Sequence, residues 1–130
     1  MRLVVSRLFY FIFIVLAANS CNLDGECINQ REVPIIRFEI PDSVPADSLI
    51  DINVIYVTYS NCSKLNSLQD FYLADTITLR VIADYNGCTC PETLPDSVVA
   101  YNFKSSAKRN YIFRGIKYDN TILQDTLRVY

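Results

Sequence analysis

A chain of 130 residues with 12 basic and 14 acidic side chains, a net charge of −2, has no room for a second domain of ordinary size and none of the basic excess that nucleic acid demands. Hydrophobic residues make up 51% against 20% charged, and glycines number only 3, a balance that supports one folded core and excludes both a disordered chain and a glycine-rich phosphate loop. The absence of histidine excludes Ser-His-Asp and Cys-His nucleophilic machinery and every His-bearing zinc site.

Arg2 and Arg7 lead into LFYFIFIVLAA, an eleven-residue apolar run from Leu8 to Ala18. That is the length of a secretory h-region and falls short of the roughly 20 residues a membrane-spanning helix needs. Small residues close the run and Cys21 follows. On Ala18-Asn19-Ser20-Cys21 the chain resembles a bacterial lipoprotein precursor, with Ala18 where the usual pattern has leucine. The resemblance implies a signal peptide over 1–20, cut just before a Cys21 that carries diacylglyceryl and N-acyl chains. The protein is then held on the membrane through lipid. The acidic Asp24 and Glu26 in CNLDGE resemble the surface-export signal of Bacteroidota lipoproteins, and Asn22 is not the Asp that would imply inner-membrane retention. The implied location is the cell envelope, on an outer membrane, facing the periplasm or the surface. Without residues 1–20, 10 basic residues stand against 14 acidic, a net charge of −4.

Residues 21–32 hold few core-forming side chains and are expected to be a tether, with the domain over 33–130. In VPIIRFEI (33–40), Ile36, Phe38 and Ile40 share one parity while Arg37 and Glu39 take the other, the alternation of a half-buried strand. PDSVPADS (41–48) turns the chain, and LIDINVIYVTY (49–59) places Ile50, Ile52, Val54 and Tyr56 on one face of a central strand. SLQDFYLA (67–74) reads as a short edge strand through Leu68, Phe71 and Leu73, or as a helical turn. DTITLRVIADY (75–85) has the cleanest alternation, with Ile77, Leu79, Val81, Ala83 and Tyr85 facing one way. After NGCTCPETLPDS (86–97) come VVAYNFK (98–104), with Val99, Tyr101 and Phe103 inward, then NYIFRGIKY (110–118) and TILQDTLRVY (121–130). Asp119-Asn120 between the last two suits a two-residue hairpin turn.

Seven short strands with frequent turn signals and no amphipathic helix are the expectation for an all-β fold, a seven-stranded immunoglobulin-like sandwich of antiparallel sheets. KRNYIFRG resembles the entry to the sixth strand of such domains, with Asn110 in place of glycine and no cysteine two residues after Tyr111. The inter-sheet disulfide of antibody domains is therefore absent.

Five cysteines is an odd number; an acylated Cys21 leaves Cys27, Cys62, Cys88 and Cys90, an even set suited to an oxidising compartment. Strand directions bring all four to one end of the sandwich. Cys62 is expected to bond Cys88 or Cys90, with Cys27 taking the other; direct closure of Cys88-Thr89-Cys90 is the alternative. The same pair carries a second functional reading, a periplasmic thiol-redox or metal-handling protein, but no cation or helix N-terminus that would activate a thiol surrounds NGCTCPE.

DYNGC (84–88) begins like a calcium loop but lacks the spaced acidic ligands that should follow. Asp70 with Asp75, and Glu92 with Asp96, are the carboxylate pairs available for acid-base work; all sit in predicted loops and turns, where solvated carboxylates are ordinary. Asp-Ser/Thr-apolar recurs at 42–44, 47–49, 75–77, 96–98 and 125–127. It resembles the O-glycosylation acceptor of exported Bacteroidota proteins, which makes Ser43, Ser48, Thr76, Ser97 and Thr126 candidate acceptors, with Ser43, Ser48 and Ser97 preferred because their loops are expected to be exposed; turn and strand-entry preferences account for much of the same pattern. The basic turn KSSAKRN (104–110) reads as a solvated hairpin tip at the pole away from the cysteines. The expectation is a non-catalytic lipoprotein, a binding or structural accessory module for a protein or glycan ligand, with no cofactor, no metal and no nucleic-acid partner.

Overall fold

The computed structural model describes residues 27–87 and 89–130; the expected signal segment 1–20, Cys21 with the following residues to 26, and Cys88 lie outside the described residues. The described chain is all-β in two sheets. Its nine strands are β1 (Ile28–Val33), β2 (Ile35–Glu39), β3 (Ser43–Val44), β4 (Leu49–Val57), β5 (Ser63–Leu73), β6 (Thr76–Asn86), β7 (Asp96–Lys104), β8 (Asn110–Ile116) and β9 (Ile122–Val129). One sheet runs β1-β6-β8-β9-β3, with β5 also paired to β6; the other is β2-β4-β7. Because β1 and β5 both pair with residues 81–85 of β6, they occupy its opposite edges.

The two additional strands come from the seventeen residues Ile28–Val44, which change sheets twice. β1 pairs with β6, β2 with β4, and β3 lies parallel to β9. The expected tether therefore ends sooner than residue 32, since Ile28–Val33 is a strand. The change of sheet falls at buried Pro34, which has no N–H to give a ladder; its carbonyl accepts from the Val57 amide at 3.1 Å. The break also corrects the expected parity. A register shift between Ile35 and Arg37 leaves Val33, Ile35 and Phe38 buried and turns Ile36 outward, 36% exposed, as a bulge does by adding one unpaired residue. The sheets are not wholly antiparallel either, because β6 and β8 run parallel over Thr76–Thr78.

Elsewhere alternation names the inner faces, although the end of β4 buries Ile55 and Val57 on its other face as well. Ile77, Leu79, Val81 and Ala83 of β6 are buried, as are Ile52, Val54 and Tyr56 of β4 and Tyr101 and Phe103 of β7. Their inner faces meet on Phe113 of β8, fully buried, whose ring takes Phe38, Tyr101 and Phe103 edge-on at centroid distances of 6.5, 6.4 and 5.3 Å. These are the favourable tilted arrangements of aromatic quadrupoles. β5 is an eleven-residue edge strand, longer than expected, with Phe71 and Leu73 exposed and Leu68 half-buried against the core. Its tie to the second sheet is polar: the Tyr72 and Tyr101 hydroxyls lie 2.6 Å apart, and Tyr101 donates to Asp70 Oδ2 at 2.7 Å.

The β8–β9 turn has three residues rather than two. The Asn120 amide donates to the Lys117 carbonyl and the Lys117 amide to the Thr121 carbonyl. Of the expected Asp119-Asn120 pair, Asn120 has positive φ (63°), while Asp119 Oδ1 accepts from the amide and hydroxyl of Thr121. This is the turn-plus-bulge hairpin, in which a single left-handed residue suffices.

Two substitutions test this arrangement. A Cβ on Gly115 would lie 2.8 Å from Ile35 Cδ1 and 3.2 Å from Phe38 Cζ, so Gly115→Val is expected to force β8 away from β2 and to destabilise by about 1–3 kcal/mol in urea titration. Burial, then the hydrogen bonds to Tyr72 and Asp70, hold the Tyr101 phenol far above its ordinary 10.0. The unfolded chain therefore loses this proton first, and the stabilisation is present below pH 10 and lost as pH rises beyond it. Tyr101→Phe should cost about 1 kcal/mol at neutral pH, and the gap to wild type should narrow in unfolding curves taken above pH 10.

Candidate functional site

β4, β6 and β8 all run toward one end of the molecule, and β1 starts there, so four segments converge on one pole. There Cys62 is bonded to Cys90, with Cα atoms 5.9 Å apart and a sequence separation of 28. Cys27 is disulfide-bonded as well. It lies beside the end of β6, its carbonyl accepting from the Gly87 amide at 3.0 Å. The expected gathering of Cys27, Cys62 and Cys90 at one pole is thus observed, and Cys90 bonds Cys62 rather than its neighbour in Cys88-Thr89-Cys90. Cys88 lies outside the described residues.

The corner after β4 is wired locally. The Ser60 carbonyl accepts from the hydroxyls of Thr58 and Ser63, its Oγ accepts from the Cys62 amide, and Ser60 bridges to Glu92. Gly87 takes φ of +122°, a region for glycine, and a Cβ there would stand 3.1 Å from Cys90 Sγ. The disulfide thus closes over the one backbone position that has no side chain to obstruct it.

Beside it stands a cluster of three tyrosines. The Tyr59 ring lies 6.4 Å from that of Tyr85 and 6.2 Å from that of Tyr118, and the Tyr59 amide donates to the Tyr85 hydroxyl at 3.0 Å. Burial raises the Tyr59 phenol above its ordinary value, with Tyr85 and Tyr118 adding to the effect and Arg31 opposing it. Two hollows share Tyr59. One, of about 350 Å³, lies along the Cys27–Arg31 strand and is bordered by Tyr85, Cys90 and Glu92; the other, of about 150 Å³, lies between Glu32–Pro34 and the Ile116–Asn120 hairpin. Stacking faces, amides and both signs of charge line them. The larger hollow also takes in Ser60, which bridges to Glu92.

The other sequence candidates separate from this pole or have structural partners. Asp70 accepts from Tyr101, and Asp75 pairs with Arg109 at the opposite end. Glu92 borders the larger hollow while Asp96 starts β7. Asp84, first residue of the calcium-like DYNGC, accepts from Gln30 and Asn66 and so ties β6 to both neighbours. Among the described residues no group of three metal-ligating side chains comes together. Four of the five Asp-Ser/Thr motifs stand at or just before strand starts, and the fifth lies within β9. Ser43 and Thr126 are exposed; Ser48, Thr76 and Ser97 are half-buried.

In the basic turn Lys104 and Lys108 are exposed, but Ser105 is fully buried. Its Oγ donates toward the Pro45 carbonyl and accepts from the Ser48 amide, clasping the β3–β4 turn. Nothing in KSSAKRN distinguishes Ser105 from Ser106. The tyrosine cluster was equally hidden, because Tyr59, Tyr85 and Tyr118 end three different strands and nothing in the one-dimensional pattern joins them.

Replacing Cys62 and Cys90 together by serine should lower stability by about 3–4 kcal/mol, as release of a loop of this length does, measured by urea unfolding. The near-ultraviolet circular dichroism of the tyrosines should weaken with it, because the corner that holds Tyr59 is then unpinned. No protein-family model matches the chain, and no curated protein or solved structure is significantly similar to it.

Proposed function

We propose that this protein is a cell-envelope lipoprotein, anchored to the outer membrane through acylated Cys21, whose single domain is an immunoglobulin-like variant acting as a non-catalytic binding or structural module. The observation that carries the reading is the cysteine arrangement: Cys62 and Cys90 are bonded to each other and Cys27 is bonded too. We take Cys88, next after the Gly87 whose amide donates to the Cys27 carbonyl, as the partner of Cys27; Cys21 is then the odd thiol that acylation explains. Disulfides of this kind belong to an exported protein.

The immunoglobulin-like reading is supported by strand placement. Of the seven expected strands, the first, second and fifth (β2, β4, β7) share one sheet and the third, sixth and seventh (β5, β8, β9) the other, as in the constant-type sandwich. The fourth, β6, has moved to the second sheet, where it lies parallel to β8. Phe113 stands two residues after Tyr111, where the antibody pattern has a cysteine. A thiol-redox or metal-handling role for Cys88-Thr89-Cys90 is the weaker reading, because Cys90 is bonded to Cys62. Among the acceptor candidates, Ser43 and Thr126 expose their residues most and are the preferred sites of O-glycosylation.

Non-reducing intact mass of protein extracted from membranes of a Bacteroidota host tests the anchor and the thiols together. The expected species begins at Cys21, carries acyl chains and has no alkylatable thiol, and peptide mapping joins Cys27 to Cys88; Cys21→Ser should move the protein out of the membrane fraction. A chain that begins elsewhere, or one with reactive thiols at Cys88 and Cys90, would refute the reading.

A further inference from the structure

We infer that the tyrosine pole is a lipid-contacting surface, on which the domain rests against the headgroup layer of the membrane that holds it; the inference rests on the Cys21 anchor proposed above. Cys27 borders the larger hollow itself, and it stands only six residue steps along the chain from Cys21. An extended segment of that length spans at most about 20 Å, less than the length of β5 or β6 laid along the bilayer normal. Whatever faces the membrane must therefore be this pole or the flanks next to it.

The side chains there suit an interface. Tyr118 is 65% exposed, Ile28 and Leu94 are about 60% exposed, and Ile116 pairs with Ile122 on the hairpin tip with both exposed. Tyrosines with an apolar body and a polar tip are favoured where lipid meets water. Exposed Arg31 and Lys117 flank Tyr59 on its two sides, placed to reach headgroup phosphates from an aromatic surface. With a mature charge of −4, the whole domain gains nothing from an anionic surface, so the contact must be local to these two cations and the aromatic patch. The opposite pole also exposes apolar residues, Leu49, Leu73 and Tyr130. What separates the two is that the anchored end of the chain leaves from the tyrosine pole.

The protein contains no tryptophan, so one introduced indole reports its own surroundings. Tyr118→Trp and Tyr130→Trp place it at opposite poles on residues of similar exposure, 65% and 57%. Each acylated full-length product is reconstituted into phosphatidylcholine vesicles whose acyl chains carry bromine, a contact quencher. The expected result is a blue-shifted emission quenched several-fold more strongly for Tyr118→Trp than for Tyr130→Trp, with the difference reduced by Arg31→Glu and Lys117→Glu. Equal quenching of the two reporters, or stronger quenching of Tyr130→Trp, overturns the proposal. Flotation with the vesicles reads the anchor separately, so a chain that floats while Tyr118→Trp stays unquenched defeats the docking surface and not the anchor. If the chain is not acylated, an N-terminal hexahistidine tag on nickel-chelating lipid holds it in place. Selective quenching of Tyr118→Trp there sustains the docking surface although the anchor has failed, and its absence overturns it.

Discussion

The two sheets are held face to face by one buried ring. Phe113 projects from β8 into the second sheet and meets Phe38, Tyr101 and Phe103, with the Phe103 ring nearly perpendicular at 87°. Aromatic contacts of this kind add to the area they bury because edge and face carry opposite charge, and they also fix the relative placement of the strands that supply them. Two residues further along β8, Gly115 admits Ile35 and Phe38 where any side chain would keep them out. Tyr101, edge-on to the same ring, sends its hydroxyl outward to Asp70 and Tyr72 on β5, so the central contact and the closure of the sandwich's open side share one residue.

The rest of the architecture contains edges that a small domain must manage. The first segment does most of this, by lying on β6, crossing at Pro34 to β4 and returning to pair with β9. A strand that crosses between sheets covers several edges with few residues and couples the sheets through the backbone as well as the core. β5 is left as the long edge of the larger sheet. It is interrupted by a register shift between Leu65 and Ser67, a device that twists an edge away from foreign strands.

The two poles are built by different means. At one, Ser105 is buried without charge and its hydroxyl and backbone satisfy the turn at Pro45–Ser48, so non-covalent contacts close the end, with the exposed Arg109–Asp75 ion pair beside them. At the other, a covalent link holds the corner at Ser60 to the loop after β6, and tyrosines from three strand ends fill the space around it. Rigidity imposed by the disulfide permits aromatic side chains to stand partly in solvent without collapsing onto the core. Such a surface is pre-organised for contact, whereas the Ser105 clasp is a purely internal arrangement.

Alternation of apolar residues was sufficient to place β4, β6 and β7 and to name most of their buried side chains, because β6 and β7 keep a period of two throughout and β4 keeps it until Val54–Val57, which are buried on both faces. The convergence of Cys27, Cys62 and Cys90 followed from strand direction alone, since each lies in a connection next to a strand terminus. The same logic failed over 33–40, where Pro34 and the bulge after Ile35 each reset the period, and over 28–32, where INQREV has no apolar face to advertise a strand. INQREV is a strand because β6 offers it an edge, with Asp84 and Arg80 to receive Gln30 and Glu32. Phe113, Ser105 and the Tyr59 cluster owe their roles to neighbours distant in sequence: what a ring or hydroxyl does depends on which groups surround it, and a period of two reports only which way it points.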